Sequence, residues 1–174
     1  MRRSQVLTIT GLTAARFNNM QSRGLLPFEW DNEKSTGWGD YSIHHAVKIM
    51  VMLVLARQST LEVASVLVRE HYEDAMSTMR QSKGRVSKDL FLGTSTDFVI
   101  KNDGSEIYAD DYEYAFVGTY DEFTQHIRGG HFLPGLILLV NVSACAKLAF
   151  DRAERAGMSP KAVRALRKQW ELAT

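Results

Sequence analysis

Five polar side chains crowd into one short stretch: Arg16, Asn18, Asn19, Gln21 and Arg23. Arg carries a fork of donors that can bond a guanine edge bidentately, and Asn or Gln can do the same for adenine. The set therefore has the chemistry of base-edge recognition. A second group, His126 and His131 with Asp121 and Glu122, contains the residue types of a metal or acid–base site. Such groups arise readily from polar composition, and a solvated helix end and loop is the preferred reading there. His44 and His45 are adjacent, so they cannot share a helix face and do not read as a metal pair. Asp110, Asp111 and Glu113 read as a solvated acidic turn, and Cys145 lies in an apolar run, as a core thiol does. No phosphate-binding glycine loop, nucleophile elbow or zinc helix motif is present.

Base reading needs a short helix with one face held down. Thr13 is a good N-cap, Leu12 before it can staple the helix start, and Gly24 suits the left-handed position that ends a helix. Phe17 and Met20 lie three apart and would face inward, leaving the polar residues outside. Residues 4–10 read as a preceding helix capped by Ser4. Their Val, Thr and Ile content would equally allow a strand, and only the neighbouring motif argues for helix. Gly11 would be the tight turn between the two helices.

Gly11-Leu12-Thr13, the buried Phe17, Gly24-Leu25-Leu26 and Tyr41-Ser42 together resemble the MerR-like winged helix-turn-helix family over the first half of the chain. Asn18 stands where that family usually carries an Arg, Asn19 and Met20 stand for its Tyr pair, and Asp40 for a wing Arg. Its long coiled-coil helix is not apparent. The resemblance implies a recognition helix over 13–23, a wing within 25–41, and two further helices. Those helices are also legible directly. Ser42 caps one through Leu55, and Thr60 caps another that runs to about Gln81. Pro27, Gly37 and Gly39 mark the wing, where Lys34 is the only cation and Trp30 and Trp38 read as packing aromatics.

Residues 82–87 read as a polar linker, and the pattern then changes. Residues 91–100 and 106–117 are β-like around an Asn102-Asp103-Gly104-Ser105 turn. Thr119 and Glu122 form a capping box for a helix ending at Gly129-Gly130. Leu136–Val142 reads as a buried strand, Ser143 as the cap of a helix closed by Gly157, and Ser159-Pro160 as the start of the last helix. The second half thus reads β-β-β-α-β-α-α. In the last helix, Val163, Leu166 and Trp170 form an apolar stripe, which would either pack at home or pair with a second copy or a protein partner. Lys161, Arg164, Arg167 and Lys168 gather elsewhere on it, and a solvated basic face or added phosphate contacts follow from that.

The balance of charge agrees with a divided chain. The 174 residues are 45% hydrophobic and 24% charged, with net charge +1. Residues 1–88 hold 12 Lys and Arg against 8 Asp and Glu, and residues 89–174 hold 9 against 12. A basic front and acidic back suit a nucleic-acid-binding half joined to another module. One cysteine excludes a disulfide framework and fits a cytoplasmic location. No apolar run has the length of a signal peptide core after Met1-Arg2-Arg3 or of a membrane span.

The expectation is an α+β chain: a MerR-like winged helix-turn-helix over 1–84 and a small α+β dimerisation or signal-receiving domain over 89–174. It would bind double-stranded DNA sequence-specifically as a homodimer and regulate transcription, without an enzymatic step, metal or cofactor. Arg16 with Asn19 or Gln21 would read bases, and Arg2, Arg3, Arg23 and Lys34 would contact phosphate. Thr13, Asn18 and Tyr41 complete the expected contact set. A protein-binding adaptor or anti-repressor using the same fold without DNA is the alternative, favoured by the acidic wing.

Overall fold

The computed structural model describes residues 1–29, 41–81, 89–100, 106–129 and 133–173. Among them the chain is α+β, with the order α1 (Arg3–Thr10), α2 (Ala14–Ser22), α3 (Ile43–Leu55), α4 (Leu61–Gln81), β1 (Leu90–Ile100), β2 (Glu106–Thr119), α5 (Tyr120–Gly129), β3 (Leu133–Asn141), α6 (Val142–Arg155) and α7 (Pro160–Ala173). Lys34, Trp30, Trp38 and the rest of the expected wing between Trp30 and Asp40, the linker over 82–87, the 102–105 turn and His131 lie outside the described residues.

Local signals fix most boundaries. The Ser42 hydroxyl accepts from the His45 N–H (3.3 Å), that of Thr60 from Val63 (3.2 Å), and that of Ser159 from Ala162 (3.2 Å). Each satisfies one of the donors a helix start leaves over. The Thr119 N–H donates to the Glu122 carboxylate at 2.7 Å, closing the expected box at α5. Two starts differ from expectation. In α1 the helix begins one residue before Ser4, with the Arg2 N–H donating to Gln5 Oε1 at 2.7 Å. In α6 the cap is Asn141, which accepts from Ala144 N–H at 2.7 Å. The Ser143 hydroxyl instead accepts from the Leu90 N–H at 3.0 Å, joining α6 to β1.

The strands form one antiparallel sheet in the order β2-β1-β3. Among the described residues two strands precede α5, one fewer than the β-β-β pattern, and they are the two β-like runs at 91–100 and 106–117. Leu92 of β1 faces Val117 on one side and Val140 on the other. Leu90, Leu92 and Val140 are buried against helices. β3 takes an edge, so the fully buried strand expected over 136–142 is only half realised: Val140 is buried and Ile137, on the opposite sheet face, is exposed.

α3 is the hub. Its residues are apolar over most of its circumference, and all but His44, His45, Lys48, Leu53 and Val54 are buried. It packs against α1, α4, β3, α6 and α7, while α1 also meets α6 and α4 meets β1 and β2. The buried residues accordingly form one cluster running from Val6 to Leu166, across the 84–89 boundary. Val163 and Leu166 of α7 are part of it. That placement corrects the pairing reading of the α7 stripe at those two positions: their apolar surface is already spent within the chain. The Trp170 side chain lies outside the described residues.

Candidate nucleic-acid interface

A tight turn sets α2 beside α1. Gly11 sits at φ 74°, in the left-handed region, and its N–H closes α1 on the Leu7 carbonyl at 2.9 Å. A side chain here would be strained, which explains glycine at this position. The Thr10 hydroxyl donates back to Val6 O (2.8 Å), and Leu12 is buried after it. The Thr13 hydroxyl oxygen then accepts from the Arg16 N–H at 3.2 Å and starts α2.

Only Phe17 and Met20 of α2 are buried. Phe17 meets Tyr41 edge-on at 6.1 Å between ring centroids, Tyr41 meets His45 edge-on at 6.1 Å, and His45 lies 4.4 Å from Phe28. These rings tie α2, the chain after it and the start of α3 together. A clasp from α4 completes the support: one Arg69 guanidinium nitrogen donates to the carbonyls of Gly24 (2.9 Å) and Leu26 (3.1 Å). Nothing local in the sequence announces Arg69, which acts on backbone more than forty positions away.

At 100° per residue, Ala15, Asn18, Asn19 and Ser22 lie opposite Phe17 and Met20. Arg16 and Arg23 flank this outer strip on one side and the half-buried Gln21 flanks it on the other. Arg16 and Asn19 are exposed, and among the described residues neither side chain is engaged in a hydrogen bond or ion pair. Asn18 is exposed but accepts a hydrogen bond from Arg3, whose guanidinium also lies 5.0 Å over the Phe17 ring. Arg3 therefore braces α1 against α2, and Arg2 beside it is exposed. Arg23 pairs with Glu62 at 2.6 Å, with both side chains about half exposed. A surface pair of this kind is worth ~0–1 kcal/mol, so it can yield to a phosphate. Thr13 is exposed, and its hydroxyl can still donate.

Tyr41 is placed differently from expectation. It is 4% exposed, so its ring is an anchor of the aromatic chain and it leaves the set of surface contacts. Burial raises its phenol pKa, with the Arg3 charge opposing. His45 is perturbed as well. Burial, then the positive charges of Lys48 and His44, lower its pKa to about 4. Its Nδ1 accepts from the Ser42 N–H at 3.1 Å, which requires that nitrogen to be unprotonated.

His131 of the second reactive group lies outside the described residues. His126 rests near the Phe116 ring at 6.1 Å, and Glu122 is held by the Thr119 cap. Among the described residues no three His, Cys, Asp or Glu are grouped as a metal site. Cys145 is buried, and burial pushes its thiol up to about 11, as in a core residue. No helix among the described residues is long and apolar enough to cross a membrane. No family model, curated protein or solved structure matches this chain.

Proposed function

We propose that the chain binds double-stranded DNA sequence-specifically through α2 and uses that binding to regulate transcription. The observation that carries this reading is a short, firmly anchored helix whose exposed side presents Arg16 and Asn19 with no side-chain partner among the described residues. A reader helix must spend its polar groups outside the protein, and buried anchors must hold it in register. The α1–turn–α2 pair supports the helix-turn-helix arrangement, in which the second helix enters the major groove and the first crosses the backbone. The remainder of the reading is a MerR-like winged domain, with Arg2 and Arg23 on phosphates and Arg3 held back as a brace.

Binding as a homodimer is part of the proposal, since one nine-residue helix offers too little interface for ordinary specific affinity. Any such pairing would use surface other than Val163 and Leu166. The test is Arg16→Ala, measured against the preferred duplex and against single-base variants of it. Specific binding should weaken by about 1–3 kcal/mol, with relaxed preference at one base position. Undiminished specificity in a folded variant would reject α2 as the reader.

A further inference from the structure

The acidic balance of the second half conceals a strongly basic segment. Residues 152–168 carry Arg152, Arg155, Lys161, Arg164, Arg167 and Lys168 against Glu154 alone, while the rest of 89–174 holds 3 Lys and Arg against 11 Asp and Glu. Two of these cations are committed within the fold. Arg152 donates to the Ile9 carbonyl at 3.1 Å, fixing the end of α1 to α6. Arg167 pairs with Glu154 at 3.1 Å and lies 5.4 Å over the Phe150 ring. Lys161, Arg164 and Lys168 share the side of α7 opposite the buried Val163 and Leu166, and all three are exposed. Arg164 uses only its Nε, on the Pro160 carbonyl at 3.3 Å, leaving the rest of its fork.

The start of α7 adjoins α1 through Ser159 and Ala162, while Arg164 lies farther round the helix, beside Pro160 and Arg167. An open groove of about 410 Å³ separates α1 from the turn between α6 and α7, with Ser4, Gln5 and Thr8 on one wall and Met158, Ser159 and Ala162 on the other. Ser4 and Thr8, one turn apart, are on the exposed face of α1. On the other side of α1, Arg3 reaches Asn18 of α2. The exposed surface therefore passes from α2, over α1, across a hydroxyl-lined groove, to the N-terminal end of α7, where Lys161 begins the stripe.

We propose that this groove and the Lys161–Arg164–Lys168 stripe form a second contact with the phosphate backbone of the same duplex that α2 reads. The inference rests on the proposed DNA-binding function. The first helix of a helix-turn-helix crosses the backbone, which brings a strand over Ser4 and Thr8 and toward the groove. Hydroxyls, helix N-termini and Lys or Arg side chains are the groups that hold phosphates. From Lys161 to Lys168 the stripe is about 10 Å long, and phosphates of one strand recur about every 3.4 Å of duplex axis, so three cations can each meet one.

The experiment compares the full chain with Lys161→Gln/Arg164→Gln/Lys168→Gln, titrating salt against a random-sequence duplex and the preferred duplex. Glutamine keeps helix propensity at these exposed sites. Each lost phosphate contact should lower the slope of log K against log salt by about 0.9, so the triple variant should lose about 2–3 on both duplexes. The ratio of specific to non-specific affinity should stay the same, because phosphate contacts carry no sequence information. If the triple variant melts early, the single variants Lys161→Gln and Lys168→Gln each replace it, with an expected loss of about 0.9. An unchanged slope in a chain that otherwise binds DNA overturns this proposal alone. Absence of salt-dependent duplex binding by the unaltered chain overturns the function reading and this one together. Loss of binding to phosphatidylserine vesicles, with duplex binding untouched, would assign the face to a membrane surface and also overturn it.

Discussion

Replacing His45 by Gln should remove a specific acid sensitivity from the support of α2. In the folded chain His45 keeps its proton only below about pH 4, while a histidine in the unfolded chain titrates near pH 6.5. Between those values the unfolded state binds more protons, so stability rises with pH. The contribution is complete above the unfolded value and is lost as pH falls through 6.5 toward 4. From pH 7 to pH 5 the loss comes to about 2 kcal/mol for a fully screened-off ring, and to about 1 kcal/mol once partial solvation is allowed for. Gln at the third helical position retains the capping box with Ser42, so the substitution removes the titration and keeps the cap. Urea unfolding of both proteins at pH 7 and pH 5 isolates the effect, since every other titrating group is common to them. The unaltered chain should lose about 1–2 kcal/mol more than the variant on acidification, or about 2–8 °C in melting temperature. An identical pH dependence in the two proteins would refute the buried, cap-accepting role of this ring.

Phe17→Ala should cost about 3–5 kcal/mol in urea unfolding, because the ring is wholly buried and supports both Tyr41 and Arg3; a near-neutral result would mean α2 is not docked as described. Arg69→Gln should loosen the chain after α2, seen as faster amide exchange at Leu25 and Leu26, whose surroundings the guanidinium clasps; unchanged exchange would deny it that role. Glu62→Gln should strengthen binding to all duplexes alike, by freeing Arg23 and removing a like charge from the phosphate side; weaker binding would show that the pair is needed to position Arg23.

What was legible in the sequence was mostly local. Ser42, Thr60, Thr119 and Ser159 announce helix starts because a cap acts on a donor three residues away. Gly11, Gly24 and Gly157 mark turns because all three occupy positive φ. Asn141 carries no cap signal in the sequence since it is also the last residue of β3, and a strand that runs straight into a helix leaves no loop to read. The edge position of β3 depends on pairing order, which no single strand encodes. Tyr41 enters the expected contact set through the family resemblance, yet its ring is enclosed by Phe17 of α2 and His45 of α3. Arg69 on Gly24 and Arg152 on Ile9 are likewise side-chain-to-backbone contacts across long separations, for which periodicity carries no signal. The polar face of α2 was visible as a set, but the division between free residues, Arg16 and Asn19, and engaged ones, Asn18 and Arg23, needed three dimensions.

The central claim is that α2 reads duplex DNA, and a selection from a random pool tests it most directly. The full chain, incubated with random-sequence duplexes at about 0.15 M salt, should enrich one short motif over successive rounds, and affinity for that motif should fall as salt rises. The same selection with Arg16→Ala should return a motif degenerate at one position. A pool that stays random, with no salt-dependent retention of any duplex, would contradict the account.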